Sequence, residues 1–363
     1  MTDALMSADS HVVEPPLVYD TYLEGQWRSD RPGLVEDGQG GQCYRIPGST
    51  RVIGLGLAGS AGADDSELDE RGTRFADIRP GAWQPRDRLA DQSIDGVAAE
   101  VLYPTAGLFL LDHPNRAFTA ACMGAYNRWL AEFCAYAPSR LLGCGASAAN
   151  SGPDLVKDLT SIRSADLRGA LLPLASPGYS YSSPDFDQAW AAAAELRIPL
   201  SFHASPPRRR IPALGAASAV VQPIWEAQEL LTELIFGGVL HRWPETRFVF
   251  AEFDAGWVPH FLQRLDHHFH RNHRWLRLDS AIDRPPSHYV RESVSFTFED
   301  DDSALAGLSP GGLNFLWGSD FPHAESTWPN SRRIAEQAAS VLSTVEFEAT
   351  FGGRLSTLYR SAR

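Results

Sequence analysis

Residues 4–16 read ALMSADSHVVEPP, a mostly apolar run of strand length that places Asp9 and His11 two positions apart. Side chains alternate between the two faces of a β-strand, so Asp9 and His11 share one face while Ser10 points to the other. One such strand can present a carboxylate oxygen and an imidazole nitrogen to the same point, and both groups are common metal ligands. The stretch therefore predicts an N-terminal strand that carries two candidate ligands.

Seven further runs along the chain are apolar, rich in β-branched residues and too short to be buried helices. Near-continuous apolarity is typical of parallel strands that are covered on both faces. Segments with helical character separate the runs, so strand and helix alternate eight times in 363 residues. This pattern predicts an α/β fold, a (β/α)8 TIM barrel formed by one domain over residues 1–363. The seven runs are GVAAEVLYP, LLGCGAS, LRGALLP, IPLSFHA, RFVFAEF, ESVSFTF and LNFLWGSD.

The stretch from about residue 14 to residue 86 interrupts this alternation. It is rich in glycine, proline and charged residues, and it is too long for an ordinary loop between a strand and a helix. We interpret it as an insertion after the first strand, on the rim of the barrel, that serves in part as a lid.

Composition and charge exclude several classes of protein. Asp and Glu total 45 against 32 Lys and Arg, a net charge of −13, so phosphate backbones would repel the chain and nucleic acid is not an expected partner. The four cysteines form no CxxC pair, which is typical of reduced core thiols. No secretory signal pattern and no apolar run of membrane-spanning length is present, so we expect a soluble, cytoplasmic protein without membrane contact.

Polar residues with metal-binding side chains stand at the ends of four predicted strands. The first strand carries Asp9 and His11, and later strands end in His203, Glu252 and Asp320. Because the C-terminal ends of parallel barrel strands converge, these five side chains should surround one point. Three buried carboxylates without a cation would be very costly, so the set predicts a divalent metal ion among them.

Each of these residues also has an ordinary structural interpretation. Asp-x-His is by itself a weak motif, His203 could be a hydrogen-bonded core histidine, and Asp320 could cap the helix that follows it. Their joint placement at four strand ends favours the metal site.

The segments ADSHVVEPP, SFHAS, RFVFAEFDAGWVPHFLQRLD and LWGSDFPHAESTWPNS together resemble the amidohydrolase superfamily, in the amidohydrolase-related branch that includes aminocarboxymuconate semialdehyde decarboxylase-like enzymes. The resemblance extends from Asp9 to the C-terminal helix. It implies that Asp9, His11 and His203 are metal ligands. It also implies that Asp320 is the strand-eight carboxylate that holds metal or activates water.

The sequence departs from that family pattern at two positions. Many members have His-x-His on strand one, where this chain has Asp9-Ser10-His11, and the decarboxylase-like members place a catalytic histidine on strand six, where we find Glu252. Two histidines and three carboxylates carry a formal charge of −3, so one or two ions per chain are both compatible with the set. The oxygen-rich ligands suit Fe, Mn or Mg at least as well as Zn.

The carboxylate in place of a strand-six histidine favours hydrolysis over decarboxylation, because it removes the obvious proton donor to a carbon atom. A metal-bound water becomes a nucleophile near neutral pH and would attack an ester, amide or thioester carbonyl. We assign Asp320 as the base, Glu252 as a shared proton carrier or bridging ligand, and His323 as the donor to the leaving group. The alternative for His323 is a surface histidine in a loop.

Two features bear on the substrate. Arg208, Arg209 and Arg210 follow His203 and could bind an anionic group by bidentate hydrogen bonds, or could be a solvated loop. Trp257 could line an apolar wall for the substrate, or could be a packing residue.

We therefore expect a small anionic substrate, with an acyl thioester such as an acyl-CoA as the favoured case, which would make the protein a thioesterase. The main alternative is a metal-dependent non-oxidative decarboxylase of an aromatic or enol carboxylic acid. A third alternative is a catalytically inactive barrel that only binds ligands. Barrels of this branch are often dimers, so a homodimer is also expected.

Overall fold

The computed structural model describes residues 5–174, 180–205, 211–277, 281–308 and 312–359. Eight parallel strands surround a common axis, and helices cover their outer faces. The predicted (β/α)8 barrel is confirmed, and each of the eight predicted runs contains one barrel strand. The strands formed by the described residues, in chain order, are β1 (Leu5–Val12), β2 (Gly33–Glu36), β3 (Gln42–Arg45), β4 (Val52–Gly54), β5 (Val97–Pro104), β6 (Leu141–Ala146), β7 (Gly169–Leu172), β8 (Leu200–His203), β9 (Phe248–Ala251), β10 (Val294–Phe298) and β11 (Asn314–Trp317).

The helices follow the barrel strands or belong to the insertion. In chain order they are α1 (Leu17–Tyr22), α2 (Leu55–Ala58), α3 (Pro85–Asp95), α4 (Ala106–Leu110), α5 (Arg116–Ala135), α6 (Gly152–Ser164), α7 (Asp187–Leu196), α8 (Ser218–Phe236), α9 (Val239–Arg242), α10 (Val258–Leu276), α11 (Pro286–Ser293), α12 (Asp302–Leu308), α13 (Ser331–Val341), α14 (Thr344–Glu348) and α15 (Arg354–Leu358).

The barrel sheet is ordered β1-β5-β6-β7-β8-β9-β10-β11, and every neighbouring pair is parallel. Among the described residues, no ladder of hydrogen bonds joins β11 back to β1. The two strands are joined instead by single backbone bonds beyond the end of β11: the Ser319 and Asp320 amides donate to the Asp9 carbonyl, and the His11 amide donates to the Phe321 carbonyl. We call this junction the seam.

A layer of aromatic side chains lies between the barrel strands and the helices, on the face of the strands opposite to the ligands. Phe202 alternates with His203 and therefore points away from the barrel axis, and the register of β8 and β9 places Phe248 and Phe250 on the same outer face. All three are fully buried, and the Phe202 ring lies 6.2 Å from that of Phe248 and 5.6 Å from that of Phe250. We call these three residues the aromatic layer. Trp190 packs against Phe248 from the surrounding helix layer at 5.7 Å. Large aromatic side chains of this kind supply much of the buried area that stabilises a barrel.

The insertion after β1 contains a feature that the sequence did not predict. β2, β3 and β4 form a small antiparallel sheet, and the buried Tyr44 of β3 donates its hydroxyl hydrogen to the Glu14 carbonyl. The insertion lies against the chain that follows β11, since the Ala61 amide donates to Pro322 and the Ala324 amide donates to Leu57. Its predicted position on the rim agrees with these contacts, and its action as a lid stays a prediction.

Two smaller expectations can be compared with the fold. All four cysteines are buried and free, as predicted for reduced core thiols. Among the described helices, none is both long enough and apolar enough to cross a membrane.

Candidate metal centre

The five predicted ligands meet at the C-terminal end of the barrel. Asp9 and His11 lie in β1, and His203 is the last residue of β8. Glu252 directly follows β9, and Asp320 stands three residues after β11. All are nearly completely buried except Glu252, whose side chain is 30% exposed. We call these five residues the ligand cup.

Several distances within the cup are close to those expected between ligands of one ion, whereas His11 Nε2 and Asp9 Oδ1 are further apart, at 3.8 Å. His203 Nε2 lies 3.1 Å from His11 Nε2, 3.2 Å from Asp9 Oδ1 and 3.3 Å from Glu252 Oε2. His11 Nε2 lies 3.4 Å from Asp320 Oδ1. With metal bonds of about 2.1 Å, neighbouring ligand atoms are about 3.0 Å apart in an octahedral site and about 3.4 Å apart in a tetrahedral one.

Backbone carbonyl groups orient the imidazole rings of His11 and His203 through their δ nitrogens. His11 Nδ1 lies 3.0 Å from the Pro104 carbonyl, and His203 Nδ1 lies 2.7 Å from the Ala204 carbonyl. When each δ nitrogen donates to its carbonyl, the ε nitrogens face the cup with their lone pairs. This arrangement is typical of histidines that bind metal through Nε2.

The two carboxylates after β9 and β11 are held in an unusual way. Glu252 Oε2 is buried and has no hydrogen-bond partner, although it lies among the other cup atoms. Glu252 and Asp320 both have left-handed backbone conformations, with φ of 61° and 52°. Such strain is costly in residues other than glycine and is concentrated at functional sites. An unpartnered buried carboxylate oxygen facing two imidazole lone pairs fits a bound cation.

The electrostatics of the cup also show its need for positive charge. Burial strongly lowers the pKa of His11, so this ring is neutral. Burial also disfavours charge on His203, but the nearby Glu252 and Asp9 carboxylates outweigh it and raise the pKa of His203 to about 9. Burial, reinforced by Asp320 and Asp9, raises the pKa of Glu252. In the protein without metal, a proton on His203 therefore supplies the positive charge that an ion would supply.

His323 belongs to the same site. Its Nδ1 lies 2.9 Å from Asp320 Oδ1, its Nε2 lies 2.9 Å from Thr105 Oγ1, and its ring lies 4.0 Å from that of His11. The side chain is 17% exposed, so the alternative of a surface histidine is wrong. Burial lowers its pKa, but the charge and hydrogen bond of Asp320 outweigh burial, so the pKa of His323 is raised.

Two overlapping sets of side chains could hold metal within the described residues. The first is Asp9, His11, His203 and Glu252, and the second is His11, Glu252, Asp320 and His323. The sets share His11 and Glu252. The expectation of one or two ions is compatible with this overlap and stays open.

Sequence reasoning missed the residues that support the cup. The Thr297 hydroxyl donates to Asp9 Oδ2 at 2.7 Å and accepts from the Glu252 amide at 2.8 Å, so one side chain fixes two candidate ligands. The available signal was its position as the last polar residue of the run ESVSFTF, near the end of the predicted strand. Glu299, two residues further on, was also missed; burial and the nearby Asp320 and Glu252 carboxylates raise its pKa strongly.

The described residues do not test the two predicted substrate contacts, which are the arginine run and Trp257. Arg208, Arg209 and Arg210 lie outside the described residues. Trp257 packs against Phe261 and Phe296, and its indole nitrogen donates to the Phe253 carbonyl at 3.0 Å. Its role as a substrate contact stays a prediction.

Solved structures with the same fold cover nearly the whole chain. An amidohydrolase, map2389c, from Mycobacterium avium subsp. paratuberculosis K-10 has a TM-score of 0.78 at 19% identity over 99% of both chains. A 2,6-dihydroxybenzoate decarboxylase from Rhizobium has a TM-score of 0.64 at 17% identity over 98% of both chains. A 5-carboxyvanillate decarboxylase from Novosphingobium aromaticivorans DSM 12444, complexed with manganese and 4-hydroxy-3-methoxy-5-nitrobenzoic acid, has a TM-score of 0.68 at 15% identity over 99% of this chain and 96% of that chain.

No curated protein sequence matches the chain significantly. The amidohydrolase family model matches residues 79–353, which include His203, Glu252 and Asp320 but not Asp9 or His11. The match covers most of the chain and agrees with the superfamily that the sequence motifs indicate, so this protein belongs to the amidohydrolase family.

Proposed function

We propose that the protein is a metal-dependent decarboxylase of an aromatic or enol carboxylic acid. The observation that carries this proposal is the position of His323 beside the ligand cup. The sequence favoured hydrolysis because Glu252 replaces the strand-six histidine of decarboxylase-like relatives. His323 supplies another imidazole at the same site, held between Asp320 and Thr105 at 2.9 Å on each side. Two solved structures with the same fold are decarboxylases of aromatic acids, which also supports this choice.

The reaction replaces the carbon–carboxylate bond by a carbon–hydrogen bond and releases CO₂. A bound divalent ion would supply the positive charge that draws the substrate carboxylate and a neighbouring oxygen to the cup. We assign His323 as the donor of the proton to the carbon atom that loses CO₂. Asp320 orients its ring through Nδ1, so the proton would leave from Nε2, which would give up its hydrogen bond with Thr105 Oγ1. The electron pair of the broken bond then forms the new carbon–hydrogen bond, and solvent returns the proton to His323.

Hydrolysis of a carbonyl compound is the second candidate. The pair formed by Asp320 and His323 favours it, because a carboxylate in the cup next to an imidazole can serve as a base and an acid. The acyl-thioester substrate that the sequence suggested gains no support from the comparisons. A small acidic substrate remains common to both candidates.

The two candidates differ in the fate of solvent atoms. Mn²⁺-loaded protein should be incubated with a panel of hydroxybenzoic acids, acyl thioesters and amides in D₂O and, separately, in H₂¹⁸O. Decarboxylation places one deuterium on the carbon atom that carried the carboxyl group, whereas hydrolysis places ¹⁸O in the acid product. Only ¹⁸O incorporation, with no CO₂ released from any acid, would contradict the proposal.

The role of His323 needs a variant and a matched control. We expect H323Q to lower kcat by about 10²–10⁴-fold, the usual contribution of a general acid, while the protein stays folded. H270Q changes an exposed histidine on α10 and should leave kcat unchanged. Equal activity of H323Q and H270Q would remove His323 from the mechanism.

A further inference from the structure

A buried ion pair lies directly behind the ligand cup. Arg88 of α3 is completely buried, and its Nε donates to Glu100 Oε2 of β5 at 2.6 Å. Glu100 is 3% exposed and also accepts from Gln92 Nε2 at 2.8 Å. Replacing a buried ion pair by apolar residues is often neutral or stabilising, so stability alone is a weak explanation for this one.

The remaining nitrogens of Arg88 reach both sides of the seam. Nη1 donates to the His11 carbonyl at 2.7 Å, and Nη2 donates to the Phe321 carbonyl at 3.4 Å. The guanidinium carbon also lies 4.5 Å above the Phe321 ring. One planar side chain therefore connects the backbone of β1 at a candidate ligand with the residue that follows Asp320.

The seam is the one junction between neighbouring barrel strands that has no ladder in the described part of the chain. Asp9 and His11 lie on one side of it and Asp320 lies on the other. Elsewhere in the barrel, ladders of hydrogen bonds join adjacent strands, although the ladder between β1 and β5 has register shifts between Leu5 and Met6 and between Ser7 and Ser10. Here the distance between ligands on the two sides depends on a few single hydrogen bonds, so a rigid tie has a larger effect.

Glu100 extends the same tie by way of three serine hydroxyl groups. Ser10 Oγ donates to Glu100 Oε1 at 3.4 Å and lies 3.0 Å from Ser319 Oγ across the seam. Ser7 Oγ lies 2.9 Å from Ser10 Oγ and accepts from the Ser319 amide at 2.9 Å. The ion pair and the serines thus form one buried polar network between the two ligand-bearing strands.

We propose that Arg88, oriented by Glu100, is a positioning residue for the metal centre that sets the spacing of the ligands across the seam. Its planar fork reaches Glu100, His11 and Phe321 at once, which a lysine ammonium cannot do with the same geometry. The inference rests on the metal centre and not on the reaction that the centre catalyses, so it is tested by metal affinity.

The deciding variant is the double substitution R88M/E100Q, which removes both charges and leaves no unpaired ion in the core. Mn²⁺ affinity is measured on metal-stripped protein by the electron paramagnetic resonance signal of free Mn²⁺, and folding is followed by thermal unfolding. We expect a folded protein whose Kd for Mn²⁺ is raised about 10–100-fold, the usual effect of losing a residue that supports metal ligands. A folded double variant with the wild-type Kd would overturn the proposal.

R88K tests the same point with the charge retained. It keeps the pairing with Glu100 but loses the fork, so it should also weaken Mn²⁺ binding, and wild-type affinity would again contradict the proposal. R242M is the control, because Arg242 of α9 pairs with Asp187 at 3.0 Å and donates to the Gly237 carbonyl at 2.8 Å, away from the seam. Its Kd should change by less than about threefold, as expected for an independent site. Wild-type protein that binds no Mn²⁺ would instead overturn the metal centre.

Discussion

The aromatic layer between the strands and the helices and the ligand cup at the strand ends depend on opposite kinds of interaction. In the aromatic layer, Phe202, Phe248 and Phe250 are fully buried, and the Phe202 ring contacts the rings of the other two. In the cup, Glu252 is partly buried and Asp320 is buried, and both carboxylate residues have left-handed backbone next to a seam whose described residues form no ladder. The aromatic layer therefore stabilises the fold, whereas the cup carries backbone strain and several like charges. Substitutions in the aromatic layer should therefore lower the free energy of unfolding, and substitutions in the cup should lower activity or metal affinity.

The largest effect is expected from D320N in the cup. The amide keeps the shape of the side chain but loses the charge that faces His11 and His323, so kcat should fall by about 10³–10⁴-fold with little loss of stability. Steady-state kinetics and thermal unfolding check this. D283N, an exposed aspartate outside the cup, is the control. Activity within tenfold of wild type, that is within about 1.4 kcal/mol, would remove Asp320 from the chemistry.

F250A in the aromatic layer is expected to reduce stability and to leave metal binding unchanged. Removal of this buried ring should lower the free energy of unfolding by about 3–5 kcal/mol, because it leaves a cavity among close-packed aromatic side chains. Denaturant unfolding measures the loss. Mn²⁺ stoichiometry at a temperature well below the transition should stay the same. A folded F250A protein that has lost its metal would show that the metal affinity of the cup depends on the aromatic layer.

A pH dependence should distinguish the cup from the rest of the molecule. His203 has a pKa raised to about 9 in the folded protein without metal, against 6.5 for an ordinary histidine. Its contribution is fully present below pH 6.5 and is lost as the pH rises through about 9, an effect on the order of 3 kcal/mol. The raised pKa of Glu252 acts in the same direction, because the folded protein holds that proton more tightly than the unfolded chain.

Metal-stripped protein should therefore lose stability between pH 6 and pH 9, as measured by denaturant unfolding. Mn²⁺-loaded protein should lose less over the same interval, because metal binding displaces protons from its ligands. H203Q removes the titrating ring and should flatten the profile of the stripped protein. Stripped wild-type protein that is equally stable at pH 6 and pH 9 would contradict the assignment of the proton.

A smaller effect is expected from T297V, which removes the hydroxyl that links Asp9 to the Glu252 amide. The Kd for Mn²⁺ should rise about 10–100-fold, equivalent to about 1.4–2.7 kcal/mol. T246V is the matched control, because the buried Thr246 hydroxyl bonds to the Trp190 carbonyl at the other end of the barrel. Equal Mn²⁺ affinity of the two variants would assign Thr297 to packing alone.

The barrel was predictable because its signal is local and repeated. Each buried parallel strand is a short apolar run, and eight such runs alternate with helical segments. The small sheet of β2, β3 and β4 was not predictable in the same way, since its strands have three or four residues each and lie in a glycine-rich stretch. Short antiparallel strands depend on pairing with chain that is distant in sequence, which a local pattern does not record.

The candidate ligands were visible in the sequence because metal-binding side chains at strand ends are rare and barrel topology makes strand ends converge. The sequence alone was enough to predict that five side chains would meet at the C-terminal end of the barrel, namely Asp9, His11, His203, Glu252 and Asp320. The sequence also named His323, and the tertiary structure placed it beside Asp320. Only the tertiary structure showed that Thr297 fixes two of the candidate ligands and that Arg88 crosses the seam behind them. The physical reason is that a ligand set follows from the alternation of single strands, whereas its supporting hydrogen bonds join residues up to 312 positions apart that only folding brings together.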